Sequence, residues 1–219
     1  MSHHEPYLNA ELAEYLQPKL SRHLDALAQH IAKSAPAIQI SRLQASFLQQ
    51  VIRIQNSQAV LELGTYFGYS ALAMADALQG KGHLWTVDIS DENLPTAQSF
   101  WHKAKLFDRI TSIVMDASAY LQQCKSKGQS FDLIFIDANK SGTHEQVRLA
   151  KSVLRSGGIL VVDNVLWRGE VLSPNSKNAK SMVELNAALA QDPDFNAMIV
   201  PLGDGMLLAT FSPSQSSAC

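Results

Sequence analysis

Residues 60–70 read V-L-E-L-G-T-Y-F-G-Y-S, and the fold turns on this stretch. Val60, Leu61 and Leu63 make a short apolar strand with the carboxylate of Glu62 near its end. Gly64 and Gly68 permit a tight turn, and residues 71–78 are strong helix formers. A strand, a glycine turn and a helix in that order open the nucleotide-binding half of a doubly wound sheet. Such a turn also serves simply to pack a strand against a helix. Its glycine spacing is not the dinucleotide fingerprint, because Tyr66 and Phe67 stand where a pyrophosphate needs bare backbone.

Working outward, the chain alternates. Strands are predicted at 59–63, 83–88, 110–115, 131–137 and 158–163, with helices between them at 67–79, 94–105, 117–125 and 143–154. Regular alternation of this kind implies a parallel sheet with helices on both faces. The ending differs. A helix near 180–191 precedes apolar runs at 195–201 and 206–211, joined only by Leu202-Gly203-Asp204-Gly205. Strands joined so tightly are antiparallel, because a parallel return needs a crossover of about a dozen residues. The expected fold is α/β, a doubly wound, mostly parallel seven-stranded sheet with one antiparallel strand. That architecture is similar to the Rossmann-like S-adenosylmethionine-dependent methyltransferases, and a nucleoside cofactor without phosphates suits the crowded turn.

Upstream, Leu12, Tyr15, Leu16, Leu20, Leu24, Leu27 and Ile31 recur at helical spacing across 9–33, interrupted at Pro18. A second helix is expected from about Ser41 to Gln55, with Phe47, Leu48, Val51 and Ile52 inward. These helices can cover the mouth of the sheet or form an interface, and a homodimer is the expected assembly. The chain is expected to be a single domain over 1–219: a helical extension (1–56), an α/β core (57–212) and a Ser-rich tail (213–219).

At 219 residues, 46% hydrophobic and 17% charged, the composition is that of a folded protein with a full core. No apolar run approaches the ~20 residues of a membrane span. Met1 to Pro6 do not read as a secretory signal, and Cys124 and Cys219 are too few for a disulfide scaffold or a zinc site. A cytoplasmic protein with two free thiols is expected. A formal net charge of −2 with no basic block argues against a nucleic-acid partner.

Ligands of open α/β sheets bind outside the carboxyl ends of the strands. The second strand delivers Asp88 there, at a spacing from Gly64 that suits an acid accepting from ribose hydroxyls. A solvated turn aspartate is the plain alternative. The fourth strand ends in Asp137, the fifth in Asp163 and Asn164. Neighbouring strands lie ~4.8 Å apart, so the three oxygen-bearing side chains can converge. Hard oxygen donors without histidine or cysteine suit Mg²⁺, Mn²⁺ or Ca²⁺ rather than zinc. Asp137 can instead cap the next helix, although Ser141 and Thr143 are better placed to do so. Lys140 follows Asp137 on the same loop. Trp167 either walls a flat aromatic substrate or merely packs, and His144 reads as a helix-surface histidine.

At these residues the chain resembles the cation-dependent O-methyltransferases, the group with catechol and caffeoyl-CoA O-methyltransferases. The resemblance runs from about 38 to 210 on L-E-L-G-T-Y-F-G-Y-S-A-L, V-D-I, F-I-D-A-N-K, D-N-V-L-W-R-G and L-G-D-G. It implies methyl transfer from S-adenosylmethionine to a hydroxyl of a vicinal dihydroxy aromatic small molecule, with a divalent cation, most simply Mg²⁺. By that resemblance Glu62, Gly64, Thr65 and Ser70 surround the methionine and ribose of the cofactor. Asp88 binds the ribose and Ala117 lies near the adenine. Asp137 serves both cofactor and metal, Asp163 and Asn164 complete the metal set, and Lys140 is the base. The chain departs from the family at Asn139, an amide where plant enzymes carry a carboxylate. It departs again at Arg168, which replaces a small polar residue and suggests an acidic or phosphate-bearing acceptor. Residues 40–47 also lack the family's glutamate–glycine pair. A tRNA-base O-methyltransferase, a nicotinamide dehydrogenase and a non-catalytic cofactor-binding module are the competing possibilities. The crowded turn disfavours the dehydrogenase, and retention of Asp137, Asp163, Asn164 and Lys140 disfavours the binding module.

Overall fold

The computed structural model describes residue 15 and residues 18–36, 38–138 and 142–214. Two helices come first, α1 (Arg22–Ser34) and α2 (Arg42–Gln55). Strands and helices then alternate: β1 (Ala59–Leu63), α3 (Tyr69–Ala77), β2 (His83–Asp88), α4 (Leu94–Lys103), β3 (Ile110–Val114), α5 (Ala117–Ser126), β4 (Phe131–Ile136), α6 (Thr143–Lys151) and β5 (Leu154–Val162). The chain closes with α7 (Lys177–Gln191), β6 (Phe195–Val200) and β7 (Met206–Phe211). The strands form one seven-stranded sheet in the order β3-β2-β1-β4-β5-β7-β6. β7 runs antiparallel to both its neighbours and the other pairings are parallel.

Successive strand residues feed opposite faces, as the period of a strand requires. Val60, Leu133, Phe135 and Val161 pack under α1 to α4, while Leu61, Ile134, Ile136, Leu160 and Val162 pack under α5 to α7. The N-terminal helices therefore belong to one helical layer of the sheet. Leu24, Leu27 and Ile31 of α1 are fully buried, at roughly 1.5–3 kcal/mol each. Tyr15, expected on the same stripe, is exposed. α2 starts at a reciprocal capping box: Gln44 N–H donates to Ser41 Oγ and Ser41 N–H to Gln44 Oε1.

One boundary departs from expectation. β5 begins at Leu154 rather than Gly158, and α6 ends at Lys151. The R-S-G-G run reads as a turn, but the register shifts there by a bulge between Phe131 and Leu133. Arg155 Nη1 donates to Asp132 at 2.6 Å across it, and a Cβ on Gly158 would meet Arg155 O at 2.7 Å.

Candidate active site

The turn after β1 is built by two glycines and an aspartate. Gly64 has φ +106°, and a Cβ there would lie 2.5 Å from the carbonyl oxygen of Asp137. Bare backbone lets the ends of β1 and β4 meet. Gly68 (φ +70°) packs under Trp101, whose Nε1 donates to its carbonyl at 3.2 Å. Asp88, at the end of β2, accepts from the N–H groups of Thr65 and Tyr66 at 2.8 and 3.0 Å. The acid singled out as a ribose partner is a clamp on the turn in this structure. Tyr66 then reaches away, its hydroxyl donating to Pro36 O at 2.9 Å.

Glu62 lies beneath this turn, fully buried within β1. Thr65 Oγ1 sits 2.6 Å from Thr86 Oγ1, and Thr86 donates to Glu62 Oε2 at 2.5 Å. Burial raises the pKa of Glu62 to about 8, opposed by the Ser70 and Thr86 hydroxyls and reinforced by Asp137 and Asp88. At neutral pH the ligand-free chain keeps this carboxyl protonated.

The oxygen donors stand on the next two strands, Asp137 after β4 and Asp163 and Asn164 after β5. Asp137 N–H donates to Leu63 O at 2.8 Å and Asp163 N–H to Ile136 O at 3.0 Å, so the strand exits step across the sheet. With Ile136 in register with Val162, Asp137 and Asp163 leave adjacent strands side by side. Asn164 takes φ 62°, a left-handed conformation that asparagine tolerates better than most residues. The L-G-D-G turn braces the segment after Asn164: Val165 and Leu166 N–H donate to Gly205 and Asp204 carbonyls, and Arg168 N–H to Asp204 Oδ1 at 2.6 Å. A Cβ on Gly205 would lie 2.4 Å from Leu166.

A cavity of about 620 Å³ joins these parts, within the range of small-molecule sites. Of the residues singled out in the sequence, Gly64, Thr65, Ser70, Asp88, Ala117, Asp137 and Asn164 line it. Glu62 does not line it, since its strand position puts it below the floor. Asp163 does not either: it is 3% exposed and turned to Gln44. Lys140 lies outside the described residues, but Ala138 and Gly142, which bracket its loop, both line the cavity. Trp167 lines the cavity and also packs on the core. Arg168 is not among the lining residues, and the acidic-acceptor expectation loses its support there. The helix after Asp137 is capped by Gly142 without a side-chain bond, and Thr143 Oγ1 is buried without a hydrogen-bond partner among the described residues. Ser141 lies outside the described residues. His144 sits on an exposed stretch of helix with Nε2 2.8 Å from Ser181 O, joining the starts of α6 and α7.

Sequence reasoning missed Ile89, Met115, Gln146 and Asn178 in the wall. Ile89 and Met115 follow strand ends directly, a position that could have flagged them. Gln146 and Asn178 lie inside helices and carried no such signal.

A family profile described as O-methyltransferase matches residues 12–211. The chain belongs to this family. This O-methyltransferase is 32% identical over 172 residues to a probable caffeoyl-CoA O-methyltransferase 2 of Dictyostelium discoideum, covering 76% of this chain and 74% of that one. It is 33% identical over 175 residues to caffeoyl-CoA O-methyltransferase 1 of Eucalyptus globulus, covering 75% and 71%. Among solved structures, it is similar to the O-methyltransferase TomG of Streptomyces achromogenes in complex with SAM (TM-score 0.83, 27% identity, 92% and 94% covered). An O-methyltransferase of Bacillus cereus in complex with SAH gives a TM-score of 0.82 at 29% identity, covering 92% and 96%. This O-methyltransferase is accordingly an S-adenosylmethionine-dependent enzyme. Among the described residues no helix is long and apolar enough to cross a membrane.

Proposed function

We propose that this O-methyltransferase methylates one hydroxyl of a vicinal dihydroxy aromatic small molecule, with a divalent cation held by Asp137, Asp163 and Asn164. The observation that carries the proposal is the contact between Gly64 and Asp137, which brings the cofactor turn against the strand-end oxygens. Two carboxylates leaving adjacent strands beside an amide make an all-oxygen set of the kind hard cations favour. A divalent cation held by these residues would supply positive charge that favours loss of a phenolic proton from the acceptor.

The chain's own groups do the rest. Asp88 accepts from the ribose hydroxyls while clamping Thr65 and Tyr66, and Ile89, Met115 and Ala117 offer an apolar slot for the adenine. Glu62 acts from beneath the floor, holding Thr65 through Thr86 and standing beside Ser70. Lys140 takes the hydroxyl proton of the acceptor. The oxygen–methyl bond forms as the methyl–sulfur bond breaks, leaving S-adenosylhomocysteine. Trp167 walls the ring, and the buried Gln146 Oε1, which has no hydrogen-bond partner among the described residues, accepts from a donor on the acceptor.

The test is a mass-spectrometric screen of catechols, caffeoyl esters and bulk tRNA, each with S-adenosylmethionine and Mg²⁺. Methylated catechol or caffeoyl product that vanishes in excess EDTA and returns with Mg²⁺ or Mn²⁺ is expected. Full turnover in EDTA defeats the metal role, and methylation of tRNA alone replaces the acceptor class.

A further inference from the structure

The N-terminal layer reaches the proposed metal set through one side chain. Gln44, in the first turn of α2, is 2% exposed, and its Nε2 donates at 2.8 Å to Oδ1 of Asp163, itself 3% exposed. The direction of this bond follows from the other end of the amide. Gln44 Oε1 accepts from Ser41 N–H at 2.8 Å within the capping box, so the nitrogen faces the carboxylate. The amide is confined on a further side by Gly203 (φ +57°). A Cβ there would lie 2.5 Å from Gln44 Cδ and Oε1 and 2.7 Å from Nε2. The start of α2, the end of β5 and the β6–β7 turn therefore meet at one primary amide.

We infer that Gln44 is the positioning residue for Asp163: it fixes the plane of that carboxylate and so sets how it presents itself to a divalent cation. This role rests on the proposed metal assignment. Hydrogen-bond partners of ligating carboxylates orient them, and their loss typically weakens metal binding by about 10–100-fold. Gln44 touches neither cofactor nor acceptor in this role; it acts through Asp163.

The test is Mn²⁺ binding to the full chain without cofactor or acceptor, followed by electron paramagnetic resonance, with Asp163→Ala marking the site. Gln44→Met keeps the length of the side chain and removes the donor. It should raise the Mn²⁺ Kd about 10–100-fold and leave S-adenosylhomocysteine binding, measured by calorimetry, within about twofold. Gln44→Leu gives a second reading should the Met variant not fold. Ser41→Ala deletes the cap hydroxyl but keeps the backbone N–H that holds the amide, so it should lower Tm without moving the Mn²⁺ Kd. An unchanged Kd in Gln44→Met, where the wild type binds Mn²⁺ and Asp163→Ala does not, overturns the inference and spares the metal site. Equal weakening in Ser41→Ala and Gln44→Met reduces Gln44 to a helix cap. A wild type that takes up no Mn²⁺ removes the metal assignment and this inference with it.

Discussion

Asp88→Ala is expected to damage the ligand-free protein as well as cofactor binding, because the carboxylate clamps the turn and, in the function proposed above, also binds the ribose. Its Oδ2 accepts from Thr65 and Tyr66 N–H, and its Oδ1 from Ser90 N–H at 3.2 Å. Thr65 is 5% exposed, so its N–H loses its acceptor without gaining water, at about 1–3 kcal/mol. Tyr66 and Ser90 are more open and lose roughly 1 kcal/mol each. The total of about 3–5 kcal/mol should lower Tm by about 6–20 °C for a chain of this length. The ribose contact adds a hydrogen bond to a charged group, worth about 1.5–3 kcal/mol, hence a tenfold to hundredfold weaker complex. Asp88→Asn separates the jobs. Its amide oxygen keeps the clamp, so Tm should fall much less, while S-adenosylhomocysteine binding weakens about tenfold through loss of charge. Scanning fluorimetry without ligand and titration calorimetry read the two effects. An Ala variant that melts like the wild type refutes the clamp. An Asn variant that binds S-adenosylhomocysteine as tightly as the wild type refutes the ribose contact.

The floor of the cavity yields two further expected outcomes. Burial keeps Glu62 protonated in the folded chain up to about pH 8, whereas the unfolded chain ionises it near 4.5. The folded state binds the extra proton across that window, so Glu62 makes stability fall as pH rises through it. Glu62→Gln cannot ionise, and its stability relative to wild type should gain about 1.4 kcal/mol per pH unit between roughly pH 5 and 8. Parallel pH slopes in urea denaturation of the ligand-free proteins would show that Glu62 is ionised after all. Gly64→Ala should lower kcat/KM by about 10²-fold, since its methyl displaces the Asp137 backbone by most of an ångström. The control is Gly157→Ala, where φ is also positive (+77°) but no atom of the described residues lies within 4 Å of the added methyl, and activity should be unchanged.

Much of the fold was legible because its signals are local. β1, β2 and β7 fall where apolar runs meet turn residues, and the four-residue L-G-D-G link settles the reversed last strand. Ser41 announces α2 by its capping pattern. The strand-end acids were visible because the topology of an open sheet says where to look. What escaped depends on contacts distant in sequence. Nothing in residues 41–44 says that the amide of Gln44 will meet a carboxylate 119 positions away. The depth of Glu62 is set by strands on both sides of β1, so a side chain near the end of its strand looks like a cavity residue until they are in place. The R-S-G-G run has the composition of a turn, and only its partner Asp132 makes it a bulge.

β7 lies between β5 and β6 although it is the last strand in the chain. Its position carries a consequence for the order in which the protein can be made. A chain emerging from the ribosome holds everything the turn at Gly64 needs once β4 is complete. β6, at the sheet edge, has its partner only when residues 206–211 arrive. The carbonyls of Asp204 and Gly205 that brace residues 165 and 166 are seated by the same hairpin. The Gly64 side of the cavity can thus form early during synthesis, while the side at Asn164 and Trp167 waits for residues 206–211. A chain released short of β7 would retain the clamp on the turn but not the braced loop at Asn164 and Trp167.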